Sequence, residues 1–303
     1  MDTKILSRES FDMIHTIEND KIRASIATHG AELQSLYSKV TEREYMWQAA
    51  PEAWPDHSLL LFPACGRVAN SRMIVKGKEY PLMMHGFAKD TEFETVEKSA
   101  TSVTLMMRDT DETRKVFPYH FRFVVKFYVE GDRVYEEFNV INDGKDKMYF
   151  SLGAHPGFFC PIVLGERADS YVLRFDCPQN IKEFVKDQGS WLLTHEQTTF
   201  LEGTDVALSD SFFDNGPMVL DNVHANSVTL LSKESGRFME MGIKDFPFMC
   251  LWGKGGRMQI ICIEPWCGTS DYVDTDFQWE KRFGNECVDA GKTFERTLYF
   301  RLG

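Results

Sequence analysis

Apolar and polar residues alternate with period two through much of the chain. In FRFVVKFYV (121–129), Phe121, Phe123, Val125, Phe127 and Val129 share one face while Arg122 and Lys126 take the other. Such alternation predicts a half-buried strand. SVTLMMR (102–108), RVYEEFNVIN (133–142), SVTLLS (227–232), RFMEMGI (237–243), RMQIICIE (257–264) and RTLYFRL (296–302) repeat the pattern. Between them VKGKEY, EGDR, NDGKDK and KESGR supply turn residues, with Gly and Asn/Asp taking the left-handed conformations that a reversal needs. Only PEAWPDHS (51–58) and DYVDTDFQWEKRFG (271–284) are expected to hold a helical turn or two. No strand–helix–strand alternation, fixed-period repeat or low-complexity linker divides the chain. The pattern therefore predicts one all-β domain over residues 1–303: a large antiparallel β-sandwich with few short helices and a concave sheet face open to a ligand.

Composition narrows the function class more than the fold. The 24 phenylalanines suit a wide sheet-on-sheet core before they suit a stacking surface. A net charge of −12, a pI near 5.2 and no Lys/Arg run longer than two argue against a nucleic acid or an anionic membrane as partner. MDTKILSRES at the start lacks the apolar stretch of a signal peptide, and no segment approaches the ~18 apolar residues of a membrane span. The seven cysteines are scattered without a CxxC pair or a metal-ligand spacing. Reduced thiols and a cytoplasmic location are the expectation, with no metal.

Four polar residues stand where strands meet turns. His155, in SLGAHPGFFCPI (151–162), follows a predicted strand at 148–153 and precedes Pro156-Gly157. Proline stiffens itself and the residue before it, which suits a ring held for chemistry and equally a ring capping a turn carbonyl. His85 lies in PLMMHGFAKD (81–90), where Gly86 permits either a close ligand approach or a turn. Arg67, in LLLFPACGRVAN (59–70), offers a guanidinium for paired hydrogen bonds or for a surface ion pair. Glu264, in QIICIEPWCG (259–268), continues the apolar row of Ile260 and Cys262. A carboxylate in such a row either pairs with a cation such as Arg67 or is held for acid–base work. His15, His29, His57, His120, His195 and His224 have no comparable context.

Five segments in order, GAELQSL (30–36), LLFPACGRVANSRMIVKGKEYPLMMHGFA (60–88), SLGAHPGFF (151–159), FPFMCLW (246–252) and IICIEPW (260–266), resemble the galactose mutarotase (aldose 1-epimerase) superfamily, especially its LacX-like branch. The resemblance implies a sugar bound on a concave sheet face. It also implies an isomerase that opens and recloses a hexose ring to exchange its anomers, without cofactor or metal. By the same resemblance His155 is the general acid, Glu264 the general base, and His85 and Arg67 hold the ring and hydroxyl oxygens. The family's substrate-binding aspartate falls within LSDSFFDNGP (208–217), which nominates Asp210, with Asp214 as the alternative. Trp252 is expected in the pocket wall. Two rivals remain at this level. One is a sugar-binding sensor without turnover; the other is a hexose-6-phosphate 1-epimerase, for which Arg72, Lys76 and Lys89 are candidate phosphate ligands. A glycoside hydrolase needs two carboxylates flanking its bond, and only one stands out.

Overall fold

The computed structural model describes residues 13–303, so the reading of MDTKILSRES lies outside the described residues. The predicted alternation becomes a 14-stranded sheet. Six of its strands lie side by side as Ser58–Leu61, Leu152–Phe159, Ile260–Cys267, Phe248–Trp252, Met218–Asp221 and Tyr171–Lys186. The path continues through Ser227–Ser232, Phe238–Gly242, Thr293–Leu302, Arg133–Asn142, Phe121–Glu130, Ser102–Arg108 and Glu94–Lys98. Leu193–Ala207 pairs with Tyr171–Lys186 off this path, and a separate four-stranded sheet spans Ile14–Glu18 to Arg43–Glu44. The pairings within the large sheet are antiparallel.

Phenylalanines join the two ends of the sheet into a sandwich. Phe62, just past Ser58–Leu61, packs on Phe123 with ring centroids 5.0 Å apart, and Phe158 meets Phe300 at 6.1 Å. All four are fully buried, and each such ring contributes roughly 1.5–3 kcal/mol of apolar transfer energy. This is the core the phenylalanine count predicts.

The two expected helical segments do not form α-helices. At 51–58 the chain makes a turn in which the N–H groups of Ala53 and Trp54 both donate to Ala50 O, and Pro51 and Pro55 prevent its extension. Within 271–284 only Trp279–Lys281 is helical, as a single 3₁₀ turn. Thr275 Oγ1 and Asp276 Oδ1 there accept the backbone N–H groups of Phe277 and Gln278, competing with a helix for those donors.

One core position breaks the pattern. Glu136 lies in the inward row of Arg133–Asn142 with Val134 and Phe138, opposite Phe127 and Leu298. It is 0% exposed and neither carboxyl oxygen has a hydrogen-bond partner among the described residues. Burial alone raises its pKa from 4.5 to about 8. The folded chain thus keeps a proton that the unfolded chain releases above pH 4.5, so stability falls as pH rises from there and levels off above pH 8. Glu136→Gln is expected to gain on the wild type by about 1 kcal/mol per pH unit between pH 5 and 7. Urea titrations at several pH values check this, and a pH-independent difference would disprove it.

Candidate active site

His155 sits inside a strand rather than after one. The predicted 148–153 strand is instead the short Met148–Phe150, and a new strand, Leu152–Phe159, runs straight through His155-Pro156-Gly157. Its ladder to Ile260–Cys267 is closed at Gly153↔Trp266 and Gly157↔Cys262, with no pair recorded between them, where the proline has no N–H to give. Those two flanking pairs set His155 directly across from Glu264. Residues so opposed have adjacent side chains on one face, and His155 Nε2 lies 3.2 Å from Glu264 Oε1. The row continues through Cys250, which faces Glu264, and Val219, which faces Cys250. One face of the sheet therefore carries the dyad, while Ile261 and Ile263, of opposite parity, face the hydrophobic core.

The glycines beside His155 explain its setting. Gly153 and Gly157 share its face, two residues to either side. A Cβ on Gly153 would stand 2.7 Å from Trp266 Cδ1, and one on Gly157 would stand 2.8 Å from Trp54 Cζ3. Bare backbone at Gly157 lets the Trp54 indole close on the imidazole, and bare backbone at Gly153 leaves room for Trp266, which meets His85 edge to face. Trp54 stacks on His155 with centroids 4.8 Å apart and planes 25° apart. The indole N–H of Trp47 donates to Trp54 O at 2.8 Å and holds that ring's backbone in place.

His85 and Arg67 arrive from loops. The segment after His85 docks on Phe62, whose carbonyl accepts N–H bonds from Phe87 and Ala88 at 2.9 and 3.1 Å. At Gly86, with φ +70°, a Cβ would fall 2.2 Å from Phe62 O, so only glycine fits. His85 itself adopts φ +65°, and two bonds to one residue hold it there. Its N–H donates to Gly66 O at 3.1 Å, and Gly66 N–H donates to its Nδ1 at 3.2 Å. Accepting at Nδ1 leaves the hydrogen on Nε2, so His85 presents a neutral donor. Burial pushes its pKa well below the ordinary value, and neighbouring positive groups push the same way.

Arg67 is exposed, and its side chain makes no ion pair among the described residues. Its backbone is anchored, since Ser270 Oγ accepts from Arg67 N at 3.0 Å and Arg67 O accepts from Asp271 N at 2.9 Å. Behind this loop lies an ion pair, Arg282 Nε to Asp271 Oδ1 at 2.5 Å, with both side chains at most 5% exposed. Arg282 also donates to the carbonyls of Cys65 and Arg67, and Asp271 Oδ2 accepts from Ala69 N at 2.7 Å.

His155, Glu264, Arg67 and His85 all line one cleft of about 500 Å³. Trp252 forms part of its wall. Asp210 does not reach it: that residue accepts from Met258 N at 3.2 Å and lines a separate depression with Arg167 and Arg257. Asp214 lines a neighbouring groove, where it accepts from Gly256 N at 3.3 Å. Arg72, Lys76 and Lys89 also lie outside the cleft, paired with Glu79, Asp146 and Asp90. Besides Arg67, the cation that lines it is Lys186, at the end of Tyr171–Lys186, tied to Glu183 at 3.1 Å and to Pro217 O. Lys186 and Trp54 have no motif to mark them; Trp54 was hidden in a segment that reads as helical.

The dyad is buried, with Glu264 1% and His155 8% exposed. Burial lowers the His155 pKa to about 4, a contact with its own backbone offsetting a little of this. Burial lifts the Glu264 carboxyl well above its ordinary range, against the polar approach of Cys250 and Trp266. Both groups move toward their neutral forms. A proton passing between them has one 3.2 Å contact to cross. Glu264 Oε2, His155 Nδ1 and Trp266 Nε1 are buried without a hydrogen-bond partner among the described residues. Buried polar atoms are seldom left so, and these three lie around one cleft.

Comparison with known proteins bears on the family and the fold. The family model for aldose 1-epimerase matches residues 13–276. Protein LacX (plasmid) of Lactococcus lactis subsp. lactis is 33% identical over 267 residues, covering 85% of this chain and 89% of the relative. Among solved structures, a galactose mutarotase related enzyme from Lactobacillus acidophilus superposes with a TM-score of 0.90 at 33% identity, covering 96% of this chain and 97% of that one. A galactose mutarotase-like protein from Lactobacillus casei ATCC 334 gives 0.89 at 29% identity, covering 96% and 100%. The chain belongs to the aldose 1-epimerase family.

Proposed function

We propose that the protein interconverts the α and β anomers of an aldose by acid–base opening and reclosure of its ring. The observation that carries the reading is the buried His155–Glu264 contact at 3.2 Å in a cleft walled by tryptophans. Ring opening takes a proton from the C1 hydroxyl and gives one to the ring oxygen. Both oxygens are bonded to the same carbon, so the acid and base that serve them must nearly touch. A cross-strand pair meets that demand, and two carboxylates set apart for a glycosidase would not.

Glu264 is the base and His155 the acid. For this the shared proton must stand on the imidazole. A sugar hydroxyl donating to Glu264 Oε2 favours the carboxylate, because hydrogen bonds to a charged form stabilise it. The proton then sits on His155 Nε2, facing the ring oxygen. Glu264 takes the C1 proton as His155 releases its own, which yields the open-chain aldehyde. Rotation about C1–C2 presents the other face of the carbonyl. Reclosure runs both transfers backwards: His155 takes the proton of the attacking C5 hydroxyl as Glu264 gives its own to the C1 oxygen, so the cycle leaves the dyad unchanged. His85 Nε2–H and the Arg67 guanidinium donate to sugar oxygens, and Trp54 and Trp252 cover the ring's apolar face.

Exchange spectroscopy by proton NMR on glucose, galactose and xylose tests the reading. At least one sugar is expected to exchange its anomers faster in the presence of catalytic amounts of protein. If every sugar keeps its spontaneous rate while binding in the cleft, the protein is a sugar binder without turnover.

A further inference from the structure

The cleft is not closed on its Trp252 side. A second hollow of about 880 Å³ adjoins it, and the two share Lys186, Trp191, Gly216 and Trp252. The hollow is larger than the cleft of about 500 Å³ that holds the dyad. A single sugar ring reacting at His155 and Glu264 leaves it unused.

The partition between the two spaces is built with care. Trp191 sits at the tip of the hairpin joining the two long strands Tyr171–Lys186 and Leu193–Ala207, at φ +61° and 38% exposed. A bulky residue in the left-handed region holds only where its surroundings fix it. Asp187 Oδ2 accepts from the N–H groups of Gly189 and Ser190 at 3.1 and 2.7 Å, and from Ser190 Oγ at 2.7 Å. Asp187 O accepts from Trp191 N at 2.8 Å. Opposite, a Cβ on Gly216 would stand 2.8 Å from Trp191 Cζ3, so the indole lies directly on bare backbone. Trp191 and Trp252 thus form an aromatic throat from the cleft into the outer hollow.

Beyond the throat the lining sets an aromatic ring beside polar side chains. Phe212 offers a ring, while Glu183, Asp187, Asp214 and Asn215 offer oxygen acceptors. Aromatic planes beside carboxylates and amides suit a pyranose, whose axial C–H face is apolar and whose rim is a ring of hydroxyl donors. Three carboxylates against Lys186 and Lys254 do not suit a phosphate.

We infer that the outer hollow is a second sugar subsite and that the substrate class is a reducing disaccharide, its reducing-end ring at the dyad and its other ring beyond Trp191. This deepens the proposed anomer exchange and rests on it for turnover, though not for binding.

The test compares glucose with lactose, maltose and cellobiose, each of which ends in a reducing glucose. For at least one disaccharide kcat/KM for anomer exchange is expected to exceed that for glucose about tenfold. Asn215→Trp, at an exposed position, obstructs the hollow and is expected to lower that ratio about tenfold; Phe212→Ala removes the stacking face and lowers it roughly threefold. Turnover of glucose with no disaccharide preferred, or a ratio indifferent to both variants, overturns the subsite and leaves the proposed function standing. If no sugar is turned over, the proposed function fails alone and calorimetry decides the subsite. Disaccharide binding about tenfold tighter than glucose, and lost in Asn215→Trp, supports it; equal or undetectable binding of both overturns it.

Discussion

Glu264→Gln is expected to lower the anomer-exchange rate by about 10²–10⁴-fold, the range for removing a positioned proton acceptor. The amide keeps the shape of the carboxyl and cannot take the C1 proton. His155→Asn is expected to fall in the same range, because the imidazole nitrogen that stands 3.2 Å from Glu264 Oε1 is lost with its proton. The fold should survive both changes, and the pKa shifts give the sign. Glu264 titrates higher folded than unfolded, so it costs stability as pH rises above 4.5. His155 titrates lower folded than unfolded, so it costs stability as pH falls below 6.5 toward 4. Removing the buried carboxyl relieves the first cost, and Glu264→Gln should melt at or above the wild-type temperature near neutral pH. The pH profile is a second check. Turnover requires one labile proton on the dyad, so the wild-type rate should fall at low pH as His155 takes a second proton, and at high pH as the pair loses its only one. Polarimetry decides the matter. A wild-type rate in either variant would remove both residues from the chemistry.

Arg282→Ala is expected to cost about 3–5 kcal/mol of stability, the largest loss anticipated from a single substitution here. It would leave the Asp271 carboxylate charged, 5% exposed and without its guanidinium. Melting should drop by roughly 5–15 °C. The same change frees the carbonyls of Cys65 and Arg67 from their donor, so KM for the sugar should rise as Arg67 loses its fixed position. Pairing Arg282→Met with Asp271→Leu is the discriminating measurement. If the loss comes from the orphaned charge, the double variant is more stable than Arg282→Ala. Strictly additive losses would show that the arginine matters through packing alone.

Much of this site was legible in the sequence, for a physical reason. Side chains alternate across a strand, so QIICIEPW states that Glu264 shares a face with Ile260 and Cys262 before any partner strand is known. The same rule identifies Phe121, Phe123, Val125 and Phe127 as core, and all four are fully buried. Alternation says nothing of register between distant strands. The opposition of His155 and Glu264 comes from a pairing across more than a hundred residues. Around His155, HPG reads as a turn because proline and glycine are turn formers, yet here the proline spans a gap in the ladder and the glycine makes room for Trp54. Loop residues are least legible of all. Asp210 and Asp214 lie four residues apart in a loop, and no periodicity states which hollow each will face. Asp271 and Arg282, which pin the Arg67 loop, sit in a segment whose charge spacing imitates a helix.

The row Val219, Cys250, Glu264, His155 has a consequence for how competence is acquired. Each member comes from a separate strand; those of Cys250 and Glu264 are consecutive, but two strands intervene in the chain between those of Val219 and Cys250, and six between those of His155 and Glu264. Pairings that close such long loops bear the largest entropic penalty and tend to form late. No excised segment contains the reacting pair unless it reaches from the middle of the chain almost to its end. If the proposed turnover holds, its recovery after dilution from denaturant reports completion of the sheet itself and makes the protein its own indicator of native topology.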